Sequence, residues 1–143
     1  TPGSAKSWSP FVSASGALYF VSDRSGKAEI YRLRDSEVGQ LTSTPGNGQS
    51  WSPFVSFSGA LYFVSDRSGK AEIYRLRDTT VEQITFTPGL GESKAPFVSS
   101  SGVLYFVSDR GGKDEIYRLD ANQTKQITIT LKNWESSSPF VYP

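Results

Sequence analysis

Three charged residues recur at fixed spacing: Asp23, Arg24 and Glu29 return as Asp66, Arg67 and Glu72, and again as Asp109, Arg110 and Glu115. Carboxylates repeated in this way could hold a divalent cation, bind a cationic ligand, or divide the acid and base roles of glycoside hydrolysis. Their spacing does not match a calcium loop, and each carboxylate has an Arg or Lys close by. An acid held ionised by a neighbouring cation is a poor proton donor near neutral pH. Histidine and cysteine are absent, which removes the usual neutral-pH base, the commonest metal ligand and any thiolate nucleophile. Serines are numerous, yet no S-x-x-K arrangement stands in for the missing histidine. A structural role fits the spacing better. Asp accepts backbone N–H groups in a turn, Gly26, Gly69 and Gly112 supply positive φ, and Arg meets Glu across a hairpin, an exposed pair contributing about 0.2–1 kcal/mol. The sequence therefore predicts a structural set, with no catalytic residue, metal or cofactor.

An internal repeat places this set three times. P-F-V begins at Pro10, Pro53, Pro96 and Pro139, each 43 residues after the last, and T-P-G opens at Thr1, Thr44 and Thr87. Residues 1–143 read as a single domain of three units, 1–43, 44–86 and 87–129, with a partial fourth at 130–143. Between 8–35 and 51–78 one residue differs, Ala14 against Phe57. Identity of that degree implies recent duplication or deliberate design.

Within a unit, punctuation marks four short strands: W-S-P-F-V-S, then A-L-Y-F-V-S after a small polar turn, then E-I-Y-R-L after the D-R-S-G-K loop, then G-Q-L-T or E-Q-I-T. Four antiparallel strands in a unit of this length match one blade of a β-propeller, whose period is about 40–50 residues. In Leu18-Tyr19-Phe20-Val21 successive side chains point to opposite faces, yet both faces are apolar, so both need cover. Blades packed face to face supply it.

S-P-F-V-S-F-S-G-A-L-Y-F-V-S-D-R-S-G-K-A-E-I-Y-R-L-R-D followed by Q-I-T resembles the repeat of TolB-like β-propellers, in which S-P-x-x-G, Y-F-x-S-D-R-x-G, E-I-Y and a terminal L-T build one blade. The resemblance covers all three complete units. It departs where the family commonly has Asp-Gly before the second strand, for here Ser15-Gly16, Ser58-Gly59 and Ser101-Gly102 stand instead. Serine can cap that turn, so the expected fold is unaffected, but no role of that Asp carries over.

The expected architecture is all-β: three four-stranded blades per chain plus one extra C-terminal strand. Propellers close with typically four to eight blades, and the resemblance implies six. An arc of three leaves a blade face open at each end. Leu18 and Phe20, or Leu104 and Phe106, are expected in water there, forfeiting about 1.5–3 kcal/mol for each large side chain. Two arcs related by a two-fold axis would close six blades, so the chain is expected to pair with itself as a homodimer. The rival is completion in cis within a longer propeller. The terminal S-S-P-F-V-Y-P matches a first strand with nothing after it. It either pairs into the partner's first blade or hangs loose, and the sequence leaves both open.

Trp8 and Trp51 hold equivalent positions, where the third unit has Lys94 and the fourth Ser137, while Trp134 has no counterpart. Tryptophan beside a first strand packs between blades or offers a platform for a sugar. The connectors before each first strand vary most and carry Asn47, Gln49, Leu90 and Glu92. Because strand direction alternates, they are expected on the same rim as the D-R-S-G-K turns, a candidate binding surface on a rigid frame. Asn122-Gln123-Thr124 matches a glycosylation sequon and is read as coincidence. The net charge of +1 is spread in mixed groups, which disfavours nucleic acid and anionic membrane as partners. No apolar run approaches the ~20 residues of a membrane span, and no signal peptide is legible. The expectation is a non-catalytic scaffold or a module binding a protein or peptide. The alternative is a lectin-like ring with repeated Trp sites. The resemblance implies a periplasmic or extracellular setting.

Overall fold

The computed structural model describes residues 3–130. The first unit gives β1 (Ser7–Val12), β2 (Leu18–Ser22), β3 (Glu29–Arg34) and β4 (Glu37–Gln40). The second gives β5 (Ser50–Val55), β6 (Leu61–Ser65), β7 (Glu72–Arg77) and β8 (Thr80–Gln83), and the third β9 (Ser93–Val98), β10 (Leu104–Ser108), β11 (Glu115–Asp120) and β12 (Gln123–Gln126). Each unit is one antiparallel sheet with its strands in chain order, so three separate four-stranded sheets result. The extra C-terminal strand and Trp134 lie outside the described residues. The fourth strands begin earlier than expected. Leu41-Thr42 falls after β4, where the Leu41 N–H still donates to the Ile30 carbonyl at 2.7 Å and the Thr42 hydroxyl accepts the Ile30 N–H at 2.8 Å.

Successive blades pack face to face, as the doubly apolar strands require. Ala17, Tyr19 and Ile30 of the first blade meet Val55, Leu61, Phe63 and Tyr74 of the second. The opposite face of the second blade, with Ala60, Tyr62 and Ile73, meets Val98, Leu104, Phe106 and Tyr117 of the third. Period two makes this possible: Tyr62 and Phe63 are neighbours in sequence, yet they serve different junctions. Each fully buried large side chain contributes about 1.5–3 kcal/mol.

The open ends correct one expectation. Leu104 is 4 % and Phe106 0 % exposed, because the second junction covers them. The arc has a direction, so the face of the third blade that meets no other described blade is the opposite one from that of the first. It carries Val103, Tyr105 and Ile116, each half-buried. At the first blade Leu18 is half-buried, but Phe20 is covered by its own Arg24, whose guanidinium lies 5.3 Å from the ring centroid.

The innermost strands β1, β5 and β9 run side by side. Phe11, Phe54 and Phe97 form a ladder there, with 5.0 Å between successive ring centroids. Each inner strand is bulged at a residue in the left-handed region, Ser9 (φ 50), Ser52 (φ 51) or Ala95 (φ 51), just before its proline. The bulge is the reason Trp8 and Phe11 pair in different registers with β2.

Candidate functional site

The D-R-S-G-K turns and the connectors share one rim, as strand direction predicts. In the second blade the Gly69 N–H donates to the Asp66 carbonyl at 2.8 Å, closing a turn that needs φ +100 at the glycine. The Asp66 carboxylate accepts the N–H of Gln49, in the connector, at 2.6 Å. Asp23 does the same for Lys6 and Asp109 for Glu92, each at 2.6 Å. The Asp carboxylates were expected to accept N–H groups of their own turn; in each blade the N–H bonded to the carboxylate belongs instead to the connector. Lys70 donates to the carbonyls of Thr87 and Gly89 in the next connector, and Lys27 to those of Thr44 and Gly46. Each connector is thus held by the turns of both blades it joins.

The glutamates and arginines do not meet across their own hairpins as expected. Glu29, Glu72 and Glu115 are each 1 % exposed. Glu72 accepts the Thr85 hydroxyl at 2.6 Å, the Thr87 N–H at 2.7 Å and the Thr87 hydroxyl at 3.0 Å, with Lys70 at 3.7 Å. Glu29 repeats this with Thr42, Thr44 and Lys27, and Glu115 with Thr128, Thr130 and Lys113. Thr42 and Thr44, then Thr85 and Thr87, lead the chain across the two junctions, so they draw Glu29 and Glu72 towards the next blade. Burial of Glu115 pushes its carboxyl up. The Thr128 hydroxyl, the Thr130 N–H and hydroxyl, and Lys113 outweigh burial and hold it at about 2.

Arg67 lies over Phe63 and Tyr74, 5.3 and 4.9 Å from the ring centroids, and bonds Ser65 Oγ at 3.1 Å and Ser50 Oγ at 3.3 Å. Ser50 in turn meets the Thr44 hydroxyl at 2.7 Å, and Thr44 meets Glu29. A polar chain therefore runs from Arg67 of one blade to Glu29 of the preceding one. Arg110, Ser93, Thr87 and Glu72 repeat it at the second junction. Burial pushes the Arg67 and Arg110 guanidinia below the usual arginine range, against the opposing pull of Tyr74 and Glu29, and of Tyr117 and Glu72.

Of the predicted rim residues, Asn47, Gln49, Leu90 and Glu92 are exposed, Leu90 almost fully at 98 %. Trp8 is 40 % exposed, whereas Trp51, one blade further in, is half-buried. Lys94 is drawn into an ion pair with Asp114, Nζ to Oδ2 at 2.7 Å, and the bond to Asp114 raises its pKa against burial. Sequence reasoning missed this pair. The signal was a double departure from the repeat, since Trp8 and Ala28, then Trp51 and Ala71, become Lys94 and Asp114. It also missed Thr42, Thr44 and their repeats as the glutamate partners. Beside the inner strands, a shallow groove of about 270 Å³ is lined by Ser9, Pro10, Phe11, Ser52, Pro53 and Phe97 among others.

Three consecutive sheets of this form, packed face to face with their inner strands adjacent, are blades of a β-propeller. Comparison with solved structures narrows the class. TolB from Acinetobacter baumannii superposes with a TM-score of 0.70 at 24 % identity over 89 % of this chain and 33 % of that one. A TolB protein from Agrobacterium tumefaciens gives 0.73 at 25 % over 85 % of this chain and 48 % of the other. Virginiamycin B lyase from Staphylococcus aureus gives 0.66 at 13 %, over 88 % and 42 %. The fold is that of a TolB-like β-propeller. The chain spans between a third and a half of these three proteins. No family model matches the chain, and no curated protein matches it.

Proposed function

We propose that the chain is a non-catalytic propeller scaffold which, once its ring is completed by a second copy, presents the rim of connectors and D-R-S-G-K turns to another protein or a peptide. One observation carries this reading. The carboxylates that could have done chemistry are bound into the frame, Asp66 by a connector N–H and Glu72 by two threonines, while the positions that vary between units stand exposed above them. A frame fixed in every blade beneath loops that differ suits recognition. A periplasmic or extracellular setting goes with this reading through the TolB likeness. Among the described residues no helix is long and apolar enough to cross a membrane.

The test sets a displayed peptide library beside a glycan panel, with tryptophan emission followed in both. Peptides selected on the protein are expected to lose binding when Leu90 and Asn47 are replaced together by Ser, and glycans to leave the emission unchanged. Saturable quenching by a glycan would instead assign the rim to sugars stacked on Trp8 and Trp51.

A further inference from the structure

The connector between the first and second blades carries Asn47 followed by Gly48, where the next connector carries Leu90 followed by Gly91. Residues 45–48 form a tight turn, with Gly46 at φ +58 and the Gly48 N–H on the Pro45 carbonyl at 3.2 Å, the long limit for such a bond. Packing keeps Gly48 a glycine. A Cβ there would meet Thr44 Cγ2 at 2.9 Å and Asp66 Oδ1 at 3.1 Å, and at Gly91 the same groups of Thr87 and Asp109 would lie at 3.0 Å. The residue after Asn47 therefore has no side chain to shield its nitrogen. Asn47 itself is exposed, and among the described residues nothing holds its side-chain amide. A freely rotating amide carbon thus precedes an unshielded and loosely held backbone nitrogen. The main chain on either side is fixed: Lys27 donates to the Gly46 carbonyl at 2.8 Å, and the Gln49 N–H donates to Asp66 at 2.6 Å.

We propose that Asn47 is a self-modification site, deamidated through Gly48 to aspartate and isoaspartate, and that the isoaspartate form releases the first connector from its clamp. The Gly48 nitrogen gives its proton to hydroxide and attacks Asn47 Cγ. The N–Cγ bond forms, the Cγ–Nδ2 bond breaks, and ammonia leaves with a proton taken from water. Water then opens the five-membered imide. Opening at Cγ yields aspartate, opening at the Asn47 carbonyl carbon yields isoaspartate, and no oxidation state changes. Either product adds a negative charge to the connector that Asp66 holds. Isoaspartate also inserts a methylene into the main chain between Gly46 and Gln49, so one of the two flanking clamps gives way. The site lies on the rim proposed to bind a peptide, but it does not depend on that reading.

The full chain is incubated for days at mildly alkaline pH and digested with trypsin, which releases 35–67, with Asn47 as its one asparagine, and 78–94, with Leu90. Peptide 35–67 is expected to gain the mass of an amide-to-acid exchange and to accept methyl groups from an isoaspartate methyltransferase, while 78–94 keeps its mass. Asn47→Leu, which installs the residue of the second connector, should abolish both signals and leave the fold intact. In the isoaspartate form, hydrogen exchange of the Gln49 N–H should quicken on the order of tenfold, as the loss of one charge-assisted bond implies. If 35–67 keeps its amide, the site is refuted, and a synthetic peptide of residues 43–50 that loses ammonia under the same conditions would trace the block to the folded turn. A mass gain that persists in Asn47→Leu would place the chemistry elsewhere and refute it too. Isoaspartate with unchanged Gln49 exchange would overturn the release of the connector. Peptide binding enters none of these readouts, so the function proposed for the rim and this site can fail separately.

Discussion

Replacing Glu72 by Gln removes one charge and keeps the shape of the side chain at the centre of the polar chain between the second and third blades. The amide oxygen can remain on the Thr87 N–H, which lies 2.7 Å from the carboxylate. The amide NH2 then faces the hydroxyls of Thr85 and Thr87, at 2.6 and 3.0 Å. Thr85 already accepts the Ile73 N–H at 2.8 Å and Thr87 is already joined to Ser93 at 2.7 Å, so a hydroxyl that turns to accept from the amide loses the carboxylate as the acceptor of its own O–H. Charge-assisted bonds contribute about 1.5–3 kcal/mol each against about 1 kcal/mol for neutral ones. Downgrading two of them, and removing the counter-charge of Lys70, costs about 2–3 kcal/mol. Glu82 supplies the control, because its side chain is 56 % exposed and paired only at the surface with Arg75; Glu82→Gln should cost under about 1 kcal/mol. Urea unfolding followed by tryptophan emission measures both, provided the slope m is unchanged and the midpoint alone moves. If Glu72→Gln costs no more than Glu82→Gln, the buried glutamates do not hold the junctions together and the account of the repeated set is wrong.

Acid should loosen the third blade. The Glu115 carboxyl is held at about 2 in the folded chain against a usual 4.5, so its contribution is full above about 4.5 and is lost as pH falls towards 2; the melting temperature should drop across that window, and Glu115→Gln should flatten the drop. An unchanged slope in that variant would show that another group governs acid sensitivity. The Lys94 and Asp114 pair should behave as a unit: Lys94→Trp alone leaves Asp114 without its ammonium, while Lys94→Trp with Asp114→Ala restores the arrangement of the other blades. A double-mutant cycle should give a coupling of about 0.5–1 kcal/mol, and additivity within error would show the contact to be energetically idle.

Much of the frame was legible because the repeat states it three times. Both faces of Leu61-Tyr62-Phe63-Val64 are apolar, and only face-to-face packing satisfies such a strand. Gly69 was readable as a turn residue because its role is local, whereas the Asp66 carboxylate reaches the N–H of Gln49, 17 residues away. Glu72 and Arg67 were not readable either. Their spacing suggested a pair within one hairpin, but the threonines that bind Glu72 lie 13 and 15 residues along the chain, and the arginine facing it belongs to the next blade. The bulges at Ser9, Ser52 and Ala95 were hidden too, since a residue before proline has no strong signal for the left-handed region.

By itself the sequence determined the blade, its four strands, the turn chemistry and the shared rim, because each follows from local preference and a period of two. Only the tertiary structure decided which face of each blade meets which neighbour, and which glutamate answers which arginine at the two junctions. Those choices depend on the direction in which blades follow one another around the arc, and near-identical units encode that direction in none of their residues taken alone.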